Sequence, residues 1–141
     1  MTGEYMVILS VDYGDARTGL AVCDRSQILA SPIKVISEKD REKLTDEICG
    51  IALQRKAERI VVGLPKNMDG TEGFRSEACR EFGKILEEKS GIPVDFQDER
   101  LTTVSAHNIL NATNTRGAKR KAVVDAVSAV LILEDYMSKI K

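Results

Sequence analysis

The chain opens with two apolar segments whose connection is too short to be a crossover. "YMVILSVD" reads as a buried strand and "TGLAVCD" as its neighbour, with only "YGDAR" between them. Parallel strands need a connection of about a dozen residues or more, so these two must pair antiparallel. A third strand, "ILASPIKVIS", follows, and Pro32 within it predicts an edge or irregular position. Beyond Asp40 the period changes. Leu44, Ile48, Ile51 and Ala52 fall on one face of a helix. Strands and helices then alternate. "RIVVGLP" is a short buried strand. The next helix has Thr71 as its expected N-cap, a stripe of Phe74, Ala78, Phe82, Ile85 and Leu86, and Gly91 just past its end. "IPVDFQDER" is a strand, "TTVSAHNILNA" a helix, and "TNTRGAKRK" a polar, basic loop. "AVVDAVSAVLILEDYM" is a closing helix, apolar almost all round. Alternation implies parallel pairing, so the expected fold is α/β: a mixed five-stranded sheet, three antiparallel strands and then parallel ones, flanked by helices.

A length of 141 residues suits one domain over the whole chain. With 43% apolar and 30% charged residues, the composition excludes a disordered chain. No apolar run approaches the roughly 20 residues of a membrane span. No basic segment precedes the first apolar run, which argues against a signal peptide. Cys23, Cys49 and Cys79 are odd in number and far apart, with no C-x-x-C pair, so they read as small buried thiols in a reducing cytoplasm. The sole histidine, His107, reads as a helix-surface residue. Chemistry built on a Ser-His or Cys-His pair therefore has a single candidate base. A net charge of −1 means that nucleic-acid binding would need a local basic patch.

Acids occupy unusual places. Asp12 ends the first strand, Asp98 and Glu99 end the "VDFQDER" strand, and Asp125 lies inside the most apolar helix, where a charge is costly unless paired or metal-bound. Asp125, Ser128, Ala129 and Ile132 share one helix face. Carboxylates gathered from strand ends and a helix suit hard divalent cations such as Mg²⁺, and paired ions of that kind can hydrolyse a phosphodiester. Each acid also has an ordinary reading: Asp12 as a turn residue, Glu99 paired with Arg100, Asp125 paired near a helix start. Arg116, Lys119, Arg120 and Lys121 precede Asp125 closely and suit phosphate contacts, as do Arg17 in the opening turn and Arg100.

At this point the sequence resembles a known family. "VDYGDARTGLAVCD" is similar to the D-x-G-x-x-R-x-G-x-A-x-x-D opening of the YqgF/RuvX family. "IVVGLPKNMDGTEG" resembles its G-L-P-x-N-x-D-G-T loop, "DERLTTVSA" its D-E-R-x-[ST]-T-x-x-A motif, and "KRKAVVDAVSAVLILEDYM" its closing helix motif. The resemblance implies a ribonuclease-H-like fold related to Holliday-junction resolvases of the RuvC type. It also implies a nuclease dependent on Mg²⁺ or Mn²⁺ that matures the 5′ end of pre-16S rRNA or resolves branched DNA. The carried-over catalytic and metal-binding acids are Asp12, Glu99 and Asp125. Asp98 is held in reserve, because neighbouring strand residues point to opposite faces. Asn67, Asp69 and Thr71 match the family loop and either position the substrate or simply build the loop. Asp15 stands where the family usually has Thr or Ser, and Ser128 where Ala is common.

The competing readings are a nucleotide-binding ATPase of the actin/hexokinase type, which also has a D-x-G loop, and a non-catalytic nucleic-acid-binding module. The expected partner is nucleic acid, structured RNA or branched DNA, with no membrane. The chain would act as a monomer or a homodimer.

Overall fold

The structure is a computed structural model that describes residues 6–24, 29–65, 71–98 and 117–140, with 117–125 given as helical backbone. Strands β1 (Ile8–Asp12), β2 (Thr18–Cys23) and β3 (Ala30–Ile36) pair antiparallel in succession, as the short first connection requires. Helix α1 (Arg41–Gln54) crosses to β4 (Arg59–Leu64), which pairs parallel with β1. Helix α2 (Phe74–Ser90) crosses to β5 (Val94–Asp98), which pairs parallel with β4. The order is β3-β2-β1-β4-β5, so the strand ending in Asp12 is central. This is the expected mixed five-stranded sheet. Pro32 sits on the edge strand, where the register shifts opposite Leu20 and Ala21.

Strand alternation sends Leu9, Val11, Leu20, Ile60 and Val62 to one face, where they pack with Leu44, Ile48, Cys79, Phe82 and Leu86 of α1 and α2. It sends Ile8, Ala21, Cys23 and Val61 to the other face, under Ala129, Ile132, Leu133, Tyr136 and Met137 of α3 (Gly117–Ile140). All three cysteines are buried thiols. Asp40 caps α1, its carboxylate accepting from the Glu42 amide at 2.9 Å. Gly91 ends α2 in the left-handed region, at φ 73°, which glycine adopts without strain.

Four expectations need correction. Helix α2 is capped at Gly73 and not at Thr71. Its buried face is Ser76, Cys79, Phe82, Gly83 and Leu86, so Phe74 lies off the stripe and is 84% exposed. Helix α3 starts inside the segment read as a basic loop, which places Lys119, Arg120 and Lys121 on helical backbone. The described part of α3 is also less apolar all round than expected, with Glu134, Asp135, Ser138 and Lys139 facing solvent. The helix expected over "TTVSAHNILNA", with His107, lies outside the described residues. Among the described residues, no helix is long and apolar enough to cross a membrane.

Helix α3 is pinned at its C-terminal half by a polar bridge. Arg59 Nη1 donates to the Tyr136 hydroxyl at 2.9 Å, and that hydroxyl donates to Asp95 Oδ2 at 2.7 Å. Burial, and then the Asp95 carboxylate, push the phenol above its ordinary value of 10.0. A group whose folded-state pKa is raised contributes stability below its unfolded value and loses it as pH rises through the folded value. Tyr136→Phe should therefore cost about 1 kcal/mol at neutral pH. It should also remove part of the stability loss seen above about pH 10. Urea unfolding measured across that pH range checks both.

Candidate active site

The carboxyl ends of β1 and β4 converge where ligands settle in open α/β sheets. Alternation puts Asp12 on the same face as Ile8 and Ser10, the face covered by α3. Directly opposite Asp12 on β2 is Gly19. The β1–β4 register pairs Val11 with Val62, so Gly63 stands next to Asp12 on the other side, and Gly63 in turn pairs with Gln97 of β5. Asp12 is thus flanked across the sheet by two residues without side chains, both on the α3 face. Glycine weakens a strand interior and marks a place where something approaches closely. Both glycines are themselves buried, and the Asp12 carboxylate between them is half-buried.

The turn after Asp12 is held from below. The Tyr13 ring stacks on Phe82 of α2 with centroids 3.9 Å apart and planes 8° from parallel. The Arg75 guanidinium lies over the same ring at 5.6 Å, donates to the Tyr13 carbonyl at 2.8 Å and donates to Asp15 Oδ1 at 2.7 Å. Gly14 donates its amide to Thr18 Oγ1 at 3.5 Å, and a Cβ at Gly14 would overlap the Arg17 carbonyl oxygen. That close approach explains the glycine after Asp12. Arg17 lies in the same turn, half-buried.

The extra acid of this turn, Asp15, is therefore matched by a cation, Arg75, which the sequence did not single out. The two are far apart along the chain, and no local pattern links them. The loop leaving β4 is tied to α2 by the Ser76 hydroxyl, which donates to the Pro65 carbonyl. It is tied again by Arg80, which donates twice to Glu72, at 2.8 and 2.7 Å. Thr71 is exposed on this loop, whereas Asn67 and Asp69 lie outside the described residues.

On β5, Asp95 meets Tyr136, and Gln97 accepts from Lys139 Nζ at 3.4 Å, so both point to the α3 face. Phe96 packs into the opposite core beside Gly83, and Asp98 shares its face by alternation. Asp98 is therefore on the face away from Asp12. Glu99, Arg100 and Arg116 lie outside the described residues. On α3, the Ser10 hydroxyl donates to the Ala129 carbonyl at 2.7 Å. Asp125 precedes Ala129 by one helical turn, away from the Tyr136 bridge, just as Asp12 follows Ser10 away from the Arg59 end of the sheet. Among the described residues, no group of three metal-ligating side chains gathers.

A mixed sheet with an acid ending its central strand and a long helix laid back across that strand is the plan of the ribonuclease-H-like resolvases. The fold agrees with solved members of that class. The *Thermus thermophilus* RuvC structure in complex with Holliday junction substrate superposes with a TM-score of 0.61 at 12% identity, covering 97% of this chain and 99% of that one. The fowlpox virus resolvase in complex with Holliday junction DNA gives 0.59 at 14% identity, over 95% and 98%. The RuvX family model, described as Holliday junction resolvase, matches residues 6–139. The chain is also 42% identical to an *Oenococcus oeni* protein named "Putative pre-16S rRNA nuclease", over 95% of each chain. It is 44% identical to a *Heliobacterium modesticaldum* protein of the same name, over 94% of this chain and 89% of that one. The chain belongs to the RuvX family.

The Asp15–Arg75 pair is solvent-facing, with the Asp15 side chain 89% exposed. Such pairs contribute little, about 0–1 kcal/mol. Asp15→Ser should accordingly leave the urea midpoint within about 0.5 kcal/mol of the parent stability.

Proposed function

We propose that this chain is a divalent-metal-dependent endonuclease that cuts precursor 16S rRNA at its 5′ end, acting as a single domain in the cytoplasm. The observation that carries the reading is Asp12 at the end of the central strand, between Gly19 and Gly63, on the face crossed by the helix that bears Asp125. The name borne by the relatives supplies the substrate. Asp12, Glu99 and Asp125 form the proposed ligand set. Glu99 is preferred to Asp98 because Asp95 and Gln97 face α3, which leaves Asp98 on the other face of β5. Three carboxylates are hard oxygen donors, which fit Mg²⁺ or Mn²⁺. When bound, such ions supply a water acidic enough to attack at neutral pH and charge to stabilise the leaving oxygen.

The rest of the work falls to the protein. The Tyr13–Phe82–Arg75 stack keeps the Asp12 turn rigid, so its carboxylate is pre-positioned. The two flanking glycines put no side chain of their own beside the Asp12 carboxylate. Arg17, Arg100, Arg116, Lys119, Arg120 and Lys121 are the proposed phosphate contacts, fixing the backbone without reading bases. Asn67, Asp69 and Thr71 orient the strand at the β4 end. A second reading, cleavage of branched DNA, is favoured by the description of the family as Holliday junction resolvase.

A side-by-side cleavage assay on precursor 16S rRNA and four-way DNA junctions, with Mg²⁺ or Mn²⁺, separates the two readings. The expected result is cleavage of the RNA. Asp12→Asn should lower it by more than the 10–100-fold typical of losing an outer-shell metal partner, roughly 100-fold or beyond. Undiminished cleavage by Asp12→Asn would refute the mechanism. Gly63→Ala tests the need for a glycine beside Asp12: cleavage should fall about 10-fold or more.

A further inference from the structure

Arg75 makes three contacts to the turn that follows Asp12. Its Nη1 donates to Asp15 Oδ1 at 2.7 Å, its Nη2 donates to the Tyr13 carbonyl at 2.8 Å, and its guanidinium lies over the Tyr13 ring. A guanidinium is a rigid planar fork, so holding one arm fixes where the other points. Asp15 therefore does more than balance a charge: it sets the direction in which Arg75 donates to Tyr13. The pair is too exposed to add much to stability, yet its second arm ends on the main chain of the residue bonded to Asp12. The Tyr13 ring is meanwhile stacked on Phe82 of α2. With ring and carbonyl both held, the Tyr13 backbone cannot turn without breaking a packed contact or a charge-assisted hydrogen bond. Arg75 belongs to the helix that covers the face opposite to the one Asp12 points to. Its influence on Asp12 thus passes through the Tyr13 main chain and not across space.

We propose that Asp15 and Arg75 are positioning residues for the Asp12 carboxylate: Asp15 aims Arg75, and Arg75 locks the Tyr13 main chain that carries Asp12 into the site. The inference rests on the nuclease reading above. It assigns Asp15, an acid in the same turn as a proposed metal ligand, to alignment and not to the metal or the substrate. Groups that orient a metal ligand without touching the metal act in this manner, and their loss lowers metal affinity and rate together.

Two roles for Asp15 give opposite kinetics. An acid acting directly on the substrate repels a polyanion, so its removal would lower KM. An acid acting through Arg75 leaves KM unchanged, and its removal lowers kcat. Asp15→Ser should therefore lower kcat on precursor 16S rRNA severalfold at unchanged KM and unchanged melting temperature. Arg75→Met should lower kcat about 10-fold, and Mn²⁺ titrated without nucleic acid should bind that variant about 10-fold more weakly than the parent. The double variant should match Arg75→Met in both measurements, because Asp15 then has nothing to aim. Arg75→Lys keeps the charge but not the fork, so it should not restore kcat. A lower KM in Asp15→Ser at unchanged kcat overturns the proposal in favour of direct repulsion of the substrate. A double variant whose loss is the product of the two single losses overturns it as well, since the residues then act independently. Parental kcat and Mn²⁺ affinity in both single variants overturn it and leave the nuclease reading intact. A parent protein that neither binds Mn²⁺ nor cleaves the RNA overturns both readings together.

Discussion

A single buried hydroxyl sets how the last helix sits on the sheet. Ser10 is fully buried in the middle of the central strand, and its hydroxyl donates to the carbonyl of Ala129 at 2.7 Å. A buried hydroxyl without a partner costs about 1–3 kcal/mol, so α3 cannot slide along β1 without a penalty. Sliding by one turn would shift every residue of the helix by about 5.4 Å and would also break the Tyr136 bridge to Arg59 and Asp95. The positions of Asp12 and Asp125 relative to each other are thereby tied to two polar contacts that no amount of apolar packing could replace. Apolar contact is tolerant of small shifts, whereas a hydrogen bond is not.

The second constraint is the pair of glycines beside Asp12. Strand residues flanking a central position normally carry branched side chains that pack against the covering helix. Around Asp12 both flanking positions are glycine, Gly19 and Gly63. One row below, the corresponding residues are Ala21 on β2 and Val61 on β4, both buried under α3. Gly19 and Gly63 are buried as well, so the row beside Asp12 is closed in without side chains of its own, as strand glycines are where another group approaches closely. The glycines of the two loop motifs thus have a tertiary reason, one on each side of the acid.

The sheet was legible in the sequence because its signals are local. The short "YGDAR" connection forces antiparallel pairing, and the helix-strand alternation after Asp40 forces parallel pairing. The acid at the end of β1 was legible for the same reason. What could not be read depended on distant contacts. Phe74 looked like the first member of a helical stripe, but the packing of Ser76, Cys79 and Phe82 against β4 and β5 set a different phase and turned it outward. Thr71 was a good cap by residue type, yet the helix begins at Phe74 because the chain between them is folded back by Glu72 on Arg80. Arg75 carries no local signal; only the fold brings it to Tyr13 and Asp15. That Asp98 lies on the face of β5 away from α3 turned on which face meets that helix, and the Tyr136–Asp95 contact decides it.

The start of α3 shows how function and fold pull apart. Lys119, Arg120 and Lys121 lie in its first turns, with no acid in the first turn to balance them. The N-terminal end of a helix carries about half a positive charge, so cations there are unfavourable by roughly 0.3–1 kcal/mol each. The same residues at the other end of the helix would stabilise it. A chain of net charge −1 has no general surplus of cations to dispose of, so their concentration at the wrong end of a helix, directly ahead of Asp125, is a local choice. A polyanion bound at that end reverses the sign of the effect, because phosphate is attracted both by the lysines and arginines and by the helix terminus itself. On the proposed nuclease reading, cations that weigh slightly against a helix start would favour its complex with a polyanion.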